Sequence, residues 1–147
     1  MHTETLFKLF SQMTREMSEH VNYEVADFAP DTDLTMFTQA KCGSGLVIWS
    51  GGSDATIFQQ PSDNWAFRSW HDSVHLIGSV GFLCENEDLV CELQKQAMFA
   101  RFGVNNVTEI FAKLIDCEIS GQCGYFERTG QFVDDQKQFA IDWLRTR

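Results

Sequence analysis

From Pro61 onward the chain keeps a helical period, and that period most constrains how it can fold. Phe67, Trp70, Val74 and Ile77 recur at spacings of three and four, as one face of a helix over about 62–80 requires. Ser62 or Asp63 can cap that helix, and Gly81 is placed to stop it. A second helix is expected over 85–102. Its opening "ENED" puts acids where the helix dipole favours them, and Gly103 is placed at its C-terminal cap. A third spans 106–119, with Val107, Ile110, Phe111, Leu114 and Ile115 on the buried side. "SGQCG" then breaks or bends it, and a last helix covers about 133–144. Before Pro61 a helix over 3–21, with Thr3 as N-cap, buries Leu6, Phe10, Met13 and Met17.

Between these helical stretches lies β-rich sequence. Residues 22–33 lose the period and read as loop or irregular strand. "LTMFTQA" (34–40) and "GLVIWS" (45–50), separated by "KCGSG", predict a hairpin, and "ATIFQQP" can add a third short strand. The expected fold class is therefore α+β and mainly helical. It is a bundle of about four to five helices with a small β-hairpin or sheet after the first. The whole chain, 1–147, reads as a single domain with no linker or repeat.

Composition supports a packed core. Apolar residues make up 44%, with 13 phenylalanines and 4 tryptophans to fill an interior. The formal net charge of −10 repels phosphate backbones, so direct nucleic-acid binding is not expected, whereas a basic protein partner would suit this surface. The five cysteines, Cys42, Cys84, Cys91, Cys117 and Cys123, form no C-x-x-C pair. They read as reduced, mostly buried thiols, and Cys84 and Cys91 read as packing groups rather than nucleophiles. With no signal-like N-terminus and no apolar run long enough for a membrane, the expected location is the cytoplasm.

The stretch "FRSWHDSVH" carries the candidate chemistry. His71 and His75 stand one helical turn apart and project the same way, as two ligands of one ion must. A third ligand has to come from another element, and Glu87, Glu92, Glu109, Asp116 and Glu118 are the acids available. Asp72 points about 100° around the helix from His71 and suits an outer role. The His-Asp doublet also permits the arrangement of the HD phosphohydrolases, with His20, His71, Asp72 and either Asp116 or Asp135. No Walker loop, dinucleotide fingerprint or G-x-S-x-G elbow occurs.

"NWAFRSWHDSVHL…GF…NED", "EISGQCGYF…GQFVDDQKQF" and "TIF" resemble a group of small phage and prophage proteins. The resemblance covers roughly residues 56 to 140. It marks His71, Asp72, His75, Glu87, Glu118 and Gln122, and implies a two-histidine, one-carboxylate set with Glu118 as third ligand and Glu87 or Gln122 nearby. Such a set suits zinc, iron or manganese. No pair of Glu-x-x-His motifs is present, so a ferritin-like di-metal centre is not implied.

Two functions follow as expectations. One is a metal-dependent hydrolase, in which His71, His75 and Glu118 hold the ion and Asp72 or Glu87 serves as general base. Arg68 is then the nearest cation for a phosphate substrate. The other is a non-enzymatic acidic inhibitor of a host defence protein, anti-CRISPR-like or a nucleic-acid mimic, whose acids face a basic groove.

Overall fold

The computed structural model describes residues 2–28 and 45–147 and divides the chain into two compact units, 1–81 and 82–147. It is mainly helical with a small sheet after the first helix, as the periodicity predicts.

In the first unit, α1 (Thr3–Ser18) packs against α2 (Pro61–Gly78), and the two strands lie between them in sequence. His2, not Thr3, is the residue that enters α1 from extended backbone. Leu6, Phe10 and Met13 are buried as expected. Phe7 joins them, and Ser11, Thr14 and Ser18 are buried too, so the inward face is wider than an apolar count suggests. Phe10, Phe58 and Phe67 form a triangle with ring centroids 5.5–6.0 Å apart. The edge of Trp70 closes it, with its ring centroid 5.9 Å from that of Phe67. Tilted and edge-on pairs at these spacings are the favourable aromatic arrangements.

The sheet departs from the expected hairpin. β1 (Tyr23–Ala26) pairs in parallel with β2 (Leu46–Trp49), with Tyr23 opposite Leu46. Parallel strands cannot be joined by a tight two-residue hairpin turn, so the expected antiparallel hairpin does not form with Leu46–Trp49 and Tyr23–Ala26 as partners. The expected strand 34–40 lies outside the described residues. Residues 55–60 form no strand. They run as bends that bury Thr56, Ile57 and Phe58 in the aromatic cluster.

α2 starts at Pro61, whose fixed φ suits a first helical position. It ends at Ser79, two residues before the expected Gly81. Ser79 takes the left-handed conformation (φ 52°) and donates its N–H to the last carbonyls. That conformation costs a non-glycine residue about 1 kcal/mol. Ile77 is 86% exposed, because the periodic face continues past the point where the core stops.

The second unit comprises α3 (Cys84–Phe102), α4 (Asn106–Asp116), a π-helical segment (Cys117–Gly121), α5 (Gln122–Thr129) and α6 (Gln136–Thr146). α3 carries Glu85 and Glu87 in its first turn, and Gly103 caps its end. Asn105 caps α4 by accepting from Val107 and Thr108 in a full capping box. The "SGQCG" stretch, expected to break or bend the helix, does not end it. Its Ser120 and Gly121 close the π turn, its remaining residues open α5, and the chain continues helically to Thr129. Gly121 is needed there, because a Cβ would sit 2.9 Å from the ring of Trp143. Val90, Met98, Phe111, Leu114, Ile115 and Ile119 form the core of this unit. The expected Val107 and Ile110 are only half-buried.

Candidate metal centre

The last two turns of α2 bring His71 and His75 together. Their Nε2 atoms lie 3.0 Å apart, and the rings meet edge to face with centroids 4.6 Å apart. His75 is completely buried and His71 half-buried. The geometry that the i,i+4 spacing predicts is thus realised.

The helix terminus itself orients the inner ring. The left-handed turn at Ser79 folds the chain back, so that Val80 donates its N–H to the carbonyl of His75 at 2.9 Å. The carbonyl of Val80 then lies 3.2 Å from Nδ1 of His75. A carbonyl only accepts, so Nδ1 carries the proton of the neutral ring and its Nε2 presents a lone pair. That lone pair faces Nε2 of His71. With no ion the contact is a hydrogen bond in which Nε2–H of His71 donates to His75. With an ion the two nitrogens are ligands. Adjacent ligands about 2.0–2.1 Å from one ion are roughly 3 Å apart, the spacing already present. A backbone carbonyl that fixes the tautomer of a ligating histidine is the usual support of such a site.

Within the first unit the two imidazoles face one another and can serve as ligands of one ion. Glu87, expected as a base or outer group, lies half-buried in the first turn of α3 in the second unit. Glu118, the expected third ligand, sits half-buried in the π-helical segment of that unit with its Oε1 shielded from solvent. Asp72 is half-buried on α2, beside His71 in sequence.

The other candidate acids are occupied or peripheral. Asp116 accepts from Lys95 at 2.8 Å and from the Cys91 thiol at 3.1 Å. Glu92 pairs with the same lysine, and Glu109 is exposed. Burial alone would lower the pKa of Lys95. The hydrogen bonds that the lysine donates to Asp116 and Glu92 outweigh that and hold the ammonium charged well above the usual range. Of the remaining members of an HD-type arrangement, His20 is on the surface beside Glu19, and Asp135 caps α6 through Gln138.

Arg68 is not poised for a phosphate. Its guanidinium donates to the carbonyls of Trp49 and Gly51 at 2.6 Å and stacks over the Trp49 ring. Trp65 donates to the carbonyl of Ser50 at 3.3 Å, so two side chains of α2 brace one turn.

The cysteines divide into two kinds, which corrects the expectation of uniformly reduced thiols. Cys84 and Cys123 form a disulfide with Cα atoms 6.1 Å apart, within the range such a bond spans. Their sequence separation of 39 residues carries no motif, so only the fold reveals the pairing. Cys91 and Cys117 are buried free thiols. Burial, helped by neighbouring acids, pushes both well above the ordinary thiol range, which removes them as nucleophiles. Cys42 lies outside the described residues.

Among the described residues no helix is long and apolar enough to cross a membrane. The chain matches no family model, no curated protein and no solved structure.

Proposed function

We propose that His71 and His75, with Glu118 or Glu87 as the carboxylate ligand, bind a divalent transition metal, zinc, iron or manganese, and that the centre serves a metal-dependent hydrolase. One observation carries this reading: two Nε2 atoms 3.0 Å apart, one with its tautomer set by the Val80 carbonyl. Two imidazoles and one carboxylate leave coordination positions open, as catalytic rather than purely structural sites do. An ion held there lowers the pKa of a bound water toward neutrality and so supplies hydroxide. Asp72, next to His71 on the same helix, is the general base or the group that orients an incoming ligand. The His71, Asp72, His75, Glu87 pattern also supports placing the chain with the phage and prophage group it resembles.

Elemental analysis of protein purified without chelator tests the metal. The expected result is close to one ion per chain, lost together with thermal stability on dialysis against a chelator. Protein that carries no ion, and gains no stability from added zinc, iron or manganese, refutes the reading. Hydrolase activity is then sought across phosphoester, ester and amide substrates, with Asp72→Asn expected to lower turnover more than metal content.

The net charge of −10 favours a second reading, an acidic inhibitor that docks on a basic host protein. Capture of a basic partner from host lysate at low salt, and its loss at high salt, supports that reading. Recovery of nothing at either salt argues against it.

A further inference from the structure

We propose that the cleft between the end of α1 and the first turn of α2 binds a small primary ammonium ligand on the buried carboxylate of Asp63. This site stands apart from the histidine pair. Asp63 and His71 are eight residues apart on one helix, about 12 Å of helical rise, and share no contact with a common ligand. The cleft lies within the first unit and has a volume of about 310 Å³, at the lower end of the range for small-molecule sites. Its wall is built by Arg15, Ser18 and Glu19 at the end of α1, Tyr23 of β1, and Ser62 and Asp63 at the start of α2.

Asp63 is the reason to expect a ligand. It is 1% exposed, and its Oδ1 accepts from Nη1 of Arg15 at 2.6 Å. Its Oδ2 is shielded from solvent and accepts from no group among the described residues. An ionised carboxylate has about four acceptor sites, and a buried oxygen left unbonded costs its desolvation. The charges of the wall select the sign of the partner. Arg15 brings one positive charge, and Asp63 and Glu19 bring two negative ones, so a cation completes the balance and an anion does not. The remaining polar groups are hydroxyls. That of Ser18 donates to the carbonyl of Arg15 and keeps its lone pairs. Burial, and then the charge of Asp63, raises the pKa of Tyr23, so its phenol stays neutral and its oxygen can accept. An ammonium carries three donors and no acceptor, which matches a wall of oxygens. The Arg15 side chain is half in solvent, so an incoming ammonium can displace it without opening the core.

The test titrates n-butylammonium chloride into the full chain at neutral pH and follows backbone amide shifts by NMR. Butanol, guanidinium chloride and sodium chloride serve as comparisons at matched concentration. Butylammonium is expected to give saturable shifts centred on residues 15–23 and 62–66, and butanol and sodium are not. Asp63→Asn should weaken binding at least about tenfold, the loss of a hydrogen bond to a charged acceptor. Glu19→Gln, at the more exposed rim, should weaken it by no more than about fivefold. Arg15→Gln removes the competitor for Asp63 and should tighten it. Absence of saturable shifts, equal shifts with butanol or sodium, or unaltered affinity in a folded Asp63→Asn variant overturns the site. So does tighter binding of guanidinium than of butylammonium, which assigns the cleft to another class of cation. Should Asp63→Asn fail to fold, Arg15→Gln decides, and affinity that is equal or weaker there overturns the site.

Discussion

Two polar clusters show how differently this chain handles side chains that burial makes expensive. Around Lys95 the cluster carries its own cation. The ammonium sits between Asp116 and Glu92, and the Cys91 thiol donates to the same aspartate. At the end of α2 two imidazole nitrogens face one another 3.0 Å apart with room for at most one proton between them. The first arrangement is complete as drawn by the sequence. The second turns two ring nitrogens toward a common point, where either a shared proton or an ion can sit.

Substitution separates the two most sharply at the metal. His71→Ala is expected to weaken zinc affinity by at least about a hundredfold in calorimetry, since losing a ligand exceeds losing its support. His71 is the better probe because it is half-buried. Removing the fully buried His75 would also open a cavity. Asp116→Ala should leave metal binding unchanged. If it abolishes binding while the protein stays folded, the two clusters are not separate and the comparison fails.

The next effect is on stability. Asp116→Ala strips Lys95 and Cys91 of a shared acceptor, with the lysine side chain only 14% exposed. A cost of about 1–2 kcal/mol is expected in chemical denaturation for losing the hydrogen bonds to a charged acceptor, with Glu92 still accepting from Lys95. His71→Ala, measured without metal, should cost less. A larger loss from His71→Ala than from Asp116→Ala would mean that the histidine pair is the structural element after all.

How far the sequence announces these features depends on how local their causes are. α2 was expected over 62–80 and spans Pro61–Gly78, because proline and the apolar period act within a few residues. The pairing of His71 with His75 follows from helical geometry alone and was equally legible. What needed the fold is whatever joins distant segments. Examples are the parallel register of Tyr23–Ala26 with Leu46–Trp49 and the Cys84–Cys123 link. Spacing lists the acids that could complete a ligand set without selecting among them. The "SGQCG" stretch, where a break or a bend is expected, continues helically out of the π turn at Cys117–Gly121, although glycine and serine usually end helices. Here Gly121 serves the close approach of Trp143.

A third cluster lies between these extremes and yields the smallest effects. Asp63 is 1% exposed and accepts from Arg15 at 2.6 Å, but the arginine side chain is half in solvent. Arg15→Ala should therefore cost only about 1 kcal/mol in denaturation, well short of a fully buried pair. Beside it, burial raises the pKa of the Tyr23 hydroxyl above its usual value, and the charge of Asp63 raises it further. A raised pKa in the folded state favours the neutral phenol. The stabilisation is fully present below the unfolded value of 10.0 and is lost as pH climbs through the folded one. The chain has two tyrosines, so ultraviolet titration of phenolate should lose its later phase in Tyr23→Phe. That phase should move toward lower pH in Asp63→Asn, which removes the charge while keeping the side chain's shape. If Asp63→Asn leaves the phase in place, burial alone accounts for the shift. The aspartate would then be balanced by Arg15 as fully as Asp116 is by Lys95, and would group with that closed cluster.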